Sequence, residues 1–311
     1  MRNYGVYCFY GYGGVTKNPG EGVKWYKRSA ELGFSTAMYD YGECLYNGTG
    51  VKQDYREAAK WLKKAAVAGN QNGAYLYGEC LFHGHGIEKD IRQAAEWFKK
   101  SADKGNEKAM DRYGEMLLDV IDDKAGMKRE IQWFKEKSEG GSAAAMFFYG
   151  MLLSGGLYGD EAIKTGAAWL RKSAGAGNVK AMFIITIGYA SGDFGFPKDE
   201  AKCAAWSKKA AEAGDHKGMY MYGLILEEGV GVTQNKDAAE KWYKKAFPGL
   251  KKAALDGDAD AMYYLSELYY YGKGTAEDED EAYYWCKNAA VRGECPAAKE
   301  TLKSGQYKRY T

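Results

Sequence analysis

The sequence lacks most of the features on which common enzymes and membrane proteins depend. Its 311 residues include 3 histidines, 4 prolines and 6 cysteines. It contains no G-x-S-x-G, H-E-x-x-H or G-x-x-x-x-G-K-[ST] motif, the patterns that serve nucleophilic, zinc and phosphate chemistry. No stretch approaches the ~18 apolar residues of a membrane-spanning helix. The sequence therefore disfavours a hydrolase of these classes and an integral membrane protein.

The chain also has little net charge and no complete metal site. Its 44 lysines and arginines nearly balance 42 aspartates and glutamates, which leaves a formal charge of +2. So small an excess gives no indication of a nucleic-acid surface. His83 and His85 lie two residues apart in "HGHG", but no cysteine or acidic cluster completes a metal site. We interpret this segment as a solvated turn and predict no metal or cofactor.

What the sequence does contain is a phrase repeated along its length. Its 8 tryptophans are separated by 36, 36, 36, 36, 37, 36 and 43 residues, and a glycine follows all but one of them after 8 residues. A fixed period of this size predicts a repeat architecture. The units are 1–36, 37–72, 73–108, 109–144, 145–180, 181–217, 218–260 and 261–296, with a closing segment at 297–311.

Each unit has the pattern of two helices. The first ends at a glycine, a common helix stop. The second begins at a short side chain that can accept a hydrogen bond from a free backbone N–H. These predicted caps are Asn18, Asp54, Asp90, Asp199, Asn235 and Asp278. A helical hairpin cannot bury its apolar face alone, so the units must stack. We predict an all-α, right-handed superhelical solenoid of eight helix-turn-helix repeats with a C-terminal capping helix, forming one domain over 1–311.

One unit, 218–260, is longer than the others. Its seven extra residues lie around "FPGLKKA" at 247–253, inside the predicted second helix. Seven residues are about two helical turns, so the helix can lengthen in register. Pro248 removes a backbone donor, however, and Gly249 loosens the next step. We therefore predict a kinked extension or a bulge at Pro248.

The repeat resembles a known family. The segment Ala37–Gly69 follows the pattern A-x-x-x-[LY]-G-x-x-x-x-x-G-x-G-V-x-x-D-x-x-x-A-x-x-W-x-x-K-A-A-x-x-G, which is similar to the Sel-one-like repeat (SLR), a relative of the tetratricopeptide repeat. The resemblance covers essentially the whole chain. The fourth and fifth units depart most, since "DVIDDKAGMKRE" lacks the paired glycines and "SGGLYGDEAIKTG" shifts them. The resemblance implies a bacterial protein-interaction scaffold with roles such as complex assembly.

The cysteines bear on disulfides and on the compartment. Some SLR proteins join their helices by disulfides, but Cys8, Cys44 and Cys80 occupy one repeat position. Equivalent positions in stacked units lie roughly 10 Å apart, beyond the ~7 Å limit for a bridge. We expect buried thiols there and at Cys203, and we leave open whether Cys286 and Cys295 pair. Reduced cysteines favour a cytoplasmic location. A periplasmic or secreted location remains open if a signal segment precedes this sequence.

The binding face is predicted from the first helices, which line the concave groove of such solenoids. Positions three and seven of each first helix share one exposed stripe. The predicted partner-binding residues are Tyr39, Glu43, Tyr75, Glu79, Glu115, Phe147, Met151, Phe183, Ile187, Tyr220, Leu224 and Tyr263. This stripe has an acidic end and an apolar middle, which suits a protein or peptide with a basic and an apolar segment. The alternative is that part of the stripe is core.

The predicted function is a non-catalytic scaffold or adaptor. An immunity-type inhibitor of a toxin is an alternative that the sequence does not separate from an adaptor. A cell-wall or lactam hydrolase is a weaker alternative, because the chain shows no nucleophile–base pair.

Overall fold

A computed structural model describes residues 1–117, 124–156, 158–291 and 295–307. These ranges contain 17 helices and no strand, which confirms the predicted all-α repeat architecture. The helices are α1 (Arg2–Tyr10), α2 (Pro19–Glu31), α3 (Ser35–Asn47), α4 (Tyr55–Val67), α5 (Gln71–His83), α6 (Ile91–Ala102), α7 (Glu107–Glu115), α8 (Lys124–Glu139), α9 (Ala143–Ser154), α10 (Asp160–Gly175), α11 (Val179–Ser191), α12 (Glu200–Glu212), α13 (His216–Glu228), α14 (Lys236–Leu255), α15 (Ala259–Tyr270), α16 (Glu279–Val291) and α17 (Pro296–Lys303). Odd-numbered helices up to α15 are the first helices of their hairpins, and α17 closes the chain.

The chain divides into two compact units, Met1–Phe148 and Tyr149–Thr311. Within each unit, a first helix packs on the second helix of its own hairpin and on the second helix of the preceding one, as α5 packs on α6 and α4. Each unit therefore forms a row of stacked hairpins. The prediction of one domain over 1–311 stays a prediction.

The predicted caps are confirmed at all six positions. The side chains of Asp54 and Asp90, for example, accept hydrogen bonds from the backbone N–H groups of Glu57 and Gln93 at 3.0 and 2.9 Å. The side chains of the other four caps likewise accept a hydrogen bond from the backbone N–H of the residue three positions later. A second set of caps begins several first helices, and the sequence reading did not single it out. This set is Asn70, Asn106, Asn178, Asp215 and Asp258.

Glycine is required where one hairpin meets the next. Gly86, the second glycine of the "GHG" turn, has φ +71°, a left-handed conformation that favours glycine. A Cβ at this position would lie 2.2 Å from the backbone carbonyl of Tyr55, at the start of the preceding second helix. The paired glycines therefore allow the turn of one hairpin to contact the backbone of its neighbour.

The repeated tryptophans contact a tyrosine and a lysine. In its own hairpin, Trp97 meets Tyr77 edge to face at a ring-centroid distance of 5.5 Å. The ammonium of Lys100, three residues on, lies 4.3 Å from the Trp97 ring centroid. Corresponding lysines cover other tryptophans at 4.0–4.4 Å, namely Lys64, Lys172, Lys209 and Lys245. Such cation–π contacts contribute about 0.5–1 kcal/mol each at exposed sites. These lysines therefore help hold the repeat together, beyond conferring solubility.

The long unit lengthens its second helix without an interruption. Helix α14 runs through Pro248 to Leu255 over 20 residues, so the predicted bulge is wrong and the helix is extended, while the predicted kink at Pro248 stays a prediction. Leu250 and Ala254 in the extension are buried, and this burial stabilises the added turns. Gly249 lies against the imidazole of His216 so closely that a Cβ there would be 2.0 Å from the ring. Glycine is thus the residue that lets these helices approach.

The fourth and fifth hairpins differ from the others, as the sequence departures indicated. Helix α7 has 9 residues, whereas α3 and α5 have 13. The first five residues of the segment "DVIDDKAGMKRE", 119–123, lie outside the described residues. Helix α10 begins after Gly159, whose lack of a side chain leaves this helix without the usual side-chain cap.

The six cysteines are free and buried, so the thiols predicted to lie in the core are confirmed there. Cys286 and Cys295 form no disulfide in this structure. The thiol of Cys286 instead lies 3.7 Å from the carbonyl oxygen of Ala298, which accepts its weak hydrogen bond. Burial raises the pKa of Cys44 and of Cys80 to about 12. These thiols are therefore unreactive side chains that fill space between helices.

Candidate protein-interaction face

In the first unit, the predicted stripe passes over α3, α5 and α7. Tyr39 and Glu43 lie one turn apart on α3, and the Tyr39 hydroxyl donates a hydrogen bond to the Glu43 carboxylate. Burial, followed by this bond, raises the pKa of Tyr39. Together with Tyr75 on α5, these residues line an open cavity of about 480 Å³. The structure therefore brings three of the predicted residues together.

Two of the three predicted glutamates share one arginine. Arg112 on α7 donates hydrogen bonds to Glu79 at 2.8 Å and to Glu115 at 3.2 Å. Its guanidinium also lies 4.5 Å from the ring centroid of Phe82. Burial disfavours the charge of Arg112, but contacts with Glu79 and Glu115 outweigh that effect and raise its pKa. The expected ladder of three equivalent glutamates is thus uneven. The sequence reading missed Arg112, although its i, i+3 spacing to Glu115 was a visible signal.

The two turn histidines belong to a small polar cluster beside this stripe. The Tyr46 hydroxyl hydrogen-bonds the Nδ1 of His85 at 2.9 Å, and the His85 ring stacks on Tyr55 at 4.5 Å. His83 is exposed and lies 3.4 Å from Glu79. Burial, followed by the nearby His83, lowers the pKa of His85. Within the described ranges, no three His, Cys, Asp or Glu side chains are grouped as a metal would require.

The predicted apolar residues fall into two groups by burial. Phe147, in the first unit, is 8% exposed and Tyr220, in the second, is 4% exposed. Both therefore belong to the core, as the alternative reading of the stripe expected. Tyr220 stacks on Tyr264 at 4.7 Å and approaches Tyr243 at 6.0 Å. Their burial makes them unsuitable as exposed anchors unless the structure rearranges.

The remaining apolar residues of the second unit are half-buried. They lie on α9, α11, α13 and α15 and are Met151, Phe183, Ile187, Leu224 and Tyr263. Tyr263 also hydrogen-bonds Thr301 of α17 at 3.4 Å. Each of these side chains thus retains surface that a partner can contact.

Two glutamates of the second unit, Glu227 and Glu267, lie close to this apolar stripe in the sequence. Lys273 forms an ion pair with Glu227 at 2.6 Å, and the Tyr243 hydroxyl donates to the same carboxylate at 2.6 Å. Glu267, at the seventh position of the repeat unit 261–296, is half-buried, and burial raises its pKa despite the opposing effects of Lys273 and Gln306. Beyond these groups, the stripe of the second unit is apolar.

A row of two-helix hairpins with these caps, turns and Trp–Tyr contacts defines an all-α helical-repeat protein. The Sel1 repeat family matches residues 1–34, 35–70, 71–106, 143–178, 187–215, 216–247 and 259–293. The chain belongs to this family. The unmatched fourth hairpin is one of the two that departed most in sequence. Sel1 repeat proteins are generally protein-interaction scaffolds and are typically non-catalytic.

One solved structure agrees with the family assignment. A Sel1 repeat protein from Oxalobacter formigenes is 28% identical, with a TM-score of 0.56 over 92% of this chain and 81% of that one. A protective antigen, c5321, from uropathogenic Escherichia coli is 24% identical, with a TM-score of 0.36 over 100% of this chain and 80% of that one. The immunity protein Pa5087 from Pseudomonas aeruginosa is 15% identical, with a TM-score of 0.41 over 82% and 80%. The last two likenesses carry no argument. No curated protein matches the chain.

None of the helices that the structure describes combines the length and the apolar character needed to cross a bilayer.

Proposed function

We propose that the protein is a non-catalytic scaffold or adaptor that binds a protein or peptide through the stripe formed by its first helices. The observation that carries this proposal is the run of half-buried apolar side chains in the second unit, from Met151 to Tyr263. A folded protein usually covers contiguous apolar surface or uses it for binding.

The first unit supplies complementary support. Positions three and seven of its repeats hold four carboxylates and no lysine or arginine, namely Glu43, Glu79, Asp111 and Glu115. One neighbouring cation, Arg112, bonds Glu79 and Glu115, so the stripe has more acidic than basic groups. An acidic surface attracts basic segments and raises the rate of encounter. The partner expected from both units therefore carries a basic and an apolar part.

The test begins with isolation of the native complex and identification of its partner by mass spectrometry. The affinity of that purified partner is then compared for variants of the stripe and for a matched variant elsewhere. Phe183→Ala removes stripe surface, whereas Lys241→Ala changes an exposed residue of a second helix. We expect the first to weaken binding and the second to leave it unchanged. Equal effects of the two variants would refute binding through the stripe.

A further inference from the structure

The repeat itself shows how this stripe holds a guanidinium group. In the α5–α7 pair, Arg112 bonds Glu79 on the preceding first helix and lies over the Phe82 ring. Charge-assisted bonds of this kind are stronger than neutral ones, and arginine adds a stacking contact that lysine does not match. An arginine thus satisfies both a carboxylate and an aromatic surface here.

The α3–α5 pair has the same carboxylate but lacks the arginine. Shifting the numbers by one 36-residue period places Glu43 at the position of Glu79, and Leu76 at the position of Arg112. Leu76 is shorter and carries no charge. Among the described residues, Glu43 has a hydrogen bond from Tyr39 but no ion-pair partner. The α3–α5 pair thus retains the carboxylate, Glu43, but has Leu76 where the α5–α7 pair has Arg112.

A cavity lies at this place. The space of about 480 Å³ is lined by Leu76 and Glu43 together with Tyr39 and Tyr75. Its other charged lining groups are Glu107 and Lys108, so the lining has one more negative than positive charge. Glu107 already accepts a hydrogen bond from the backbone of Ala144 at 3.1 Å. Glu43 differs from Glu107, because its hydrogen bond comes from the Tyr39 hydroxyl and not from a backbone N–H.

We propose that this cavity receives an arginine side chain of the partner, whose guanidinium bonds Glu43 and contacts the tyrosine rings. This inference rests on the proposed function, because it names one residue of the basic segment that the stripe would bind. The bond of the partner's arginine to Glu43 would repeat that of Arg112 to Glu79. Its aromatic contacts would differ, because Tyr46, the repeat equivalent of Phe82, does not line this cavity, whereas Tyr39 and Tyr75 do.

The test uses two short probes, acetyl-Leu-Arg-Leu-amide and the same peptide with citrulline in place of arginine. Citrulline keeps the shape of the side chain and removes its charge. Binding is followed by the amide chemical shifts of the isotope-labelled full chain. We expect the arginine probe to shift the signals of Tyr39 and Tyr75 and to bind about tenfold more tightly than the citrulline probe.

Three variants assign any binding to this cavity. Glu43→Gln should reduce the affinity for the arginine probe about tenfold, because the charged acceptor is lost. Leu76→Arg should abolish probe binding, because it rebuilds the internal arrangement seen at Arg112. Leu76→Met is its control, since it alters length without adding charge, and should bind as the wild type does. Melting temperatures check that each variant folds, and Glu43→Gln decides the matter if Leu76→Arg does not fold.

Equal binding of the two probes, absence of binding, or full binding by Glu43→Gln would overturn the proposal. Failure here is distinguishable from failure of the proposed function. A native partner that loses affinity with Phe183→Ala but not with Leu76→Arg would leave the stripe as the binding face and remove the arginine from this cavity.

Discussion

The stripes of the two compact units use the same repeat positions for opposite chemistry. In the first unit, the seventh position is glutamate at Glu43, Glu79 and Glu115. The Tyr39 hydroxyl bonds the first of these carboxylates, and the Arg112 guanidinium bonds the other two. In the second, the same position is apolar at Met151, Ile187 and Leu224, and glutamate returns at Glu267 in the last repeat. The caps, glycines and Trp–Tyr contacts are shared by both units. The comparison teaches that this scaffold is fixed by one set of positions and its surface by another, so surface chemistry can change without changing the fold.

The largest expected effect separates core from surface within the stripe. Tyr220→Ala should lower the free energy of unfolding by about 3–4 kcal/mol, because a fully buried aromatic side chain leaves a cavity. Tyr75→Ala, the matched change at a half-buried position in the first unit, should cost about half as much. Denaturant unfolding measures both. Equal losses would show that the two units do not differ in burial at this position.

The next effect concerns binding by the apolar stripe. Phe183→Ala and Ile187→Ala should each reduce the affinity for the native partner about thirtyfold, which corresponds to ~2 kcal/mol for an anchor residue. Their melting temperatures should change little, because both side chains are only half-buried. Titration calorimetry and thermal unfolding provide the two readings. A large fall in melting temperature with intact binding would assign both residues to the core.

A smaller effect tests the 20-residue helix α14 of the second unit. Gly249→Ala should destabilise the protein by about 1–2 kcal/mol, since the new Cβ overlaps the His216 ring. In a His216→Ala background, the same change should instead stabilise by about 1 kcal/mol, because alanine favours a helix over glycine. Thermal unfolding of the four proteins gives the sign in each background. The same sign in both would show that the His216 contact does not determine the effect.

The buried carboxylate of the second unit should make stability depend on pH. Because burial raises the pKa of Glu267 above its ordinary value of 4.5, the native state retains this proton more readily than the unfolded state. Its contribution is therefore present below that value and is lost as the pH rises through the raised pKa. Glu267→Gln should have a higher melting temperature than the wild type at pH 8. The difference should shrink at pH 4, and a constant difference would contradict this account.

The first unit should show the opposite sign at His85, with the smallest effect. Burial lowers the pKa of His85 from 6.5, so protonation opposes folding. The contribution of His85 is present above pH 6.5 and is lost as the pH falls through the lowered pKa. His85→Gln keeps a hydrogen-bonding group for Tyr46 but does not titrate. Its melting temperature should fall less between pH 8 and pH 5 than that of the wild type, and an identical fall would exclude His85 as a cause.

The repeat could be predicted from the sequence because the residues that recur with its period cap or end helices, and these roles depend only on nearby residues. Asp54 caps a helix and Gly69 ends one with φ +87°, and both act within a few residues of their own position. The helix at Pro248 was harder to predict, because a proline inside a helix usually interrupts it. Here the burial of Leu250 and Ala254 stabilises a continuous helix. Tertiary packing determined the outcome there.

The candidate site was less accessible to sequence reasoning. Positions three and seven were identified, but Phe147 and Tyr220 lie in the core although their repeat equivalents are half-buried. That difference depends on the neighbouring helices, which the period alone does not describe. Arg112 was missed for a related reason, since its bond to Glu79 joins helices of successive hairpins.

The lysines that cover the tryptophans give the protein an optical property. Each indole is partly shielded by an ammonium group 4.0–4.4 Å from its ring in five of the hairpins. Acetylation of these amines removes the charge. Intrinsic fluorescence should therefore respond to acylation of the lysines, so that the emission of this chain reports chemical modification of its own surface.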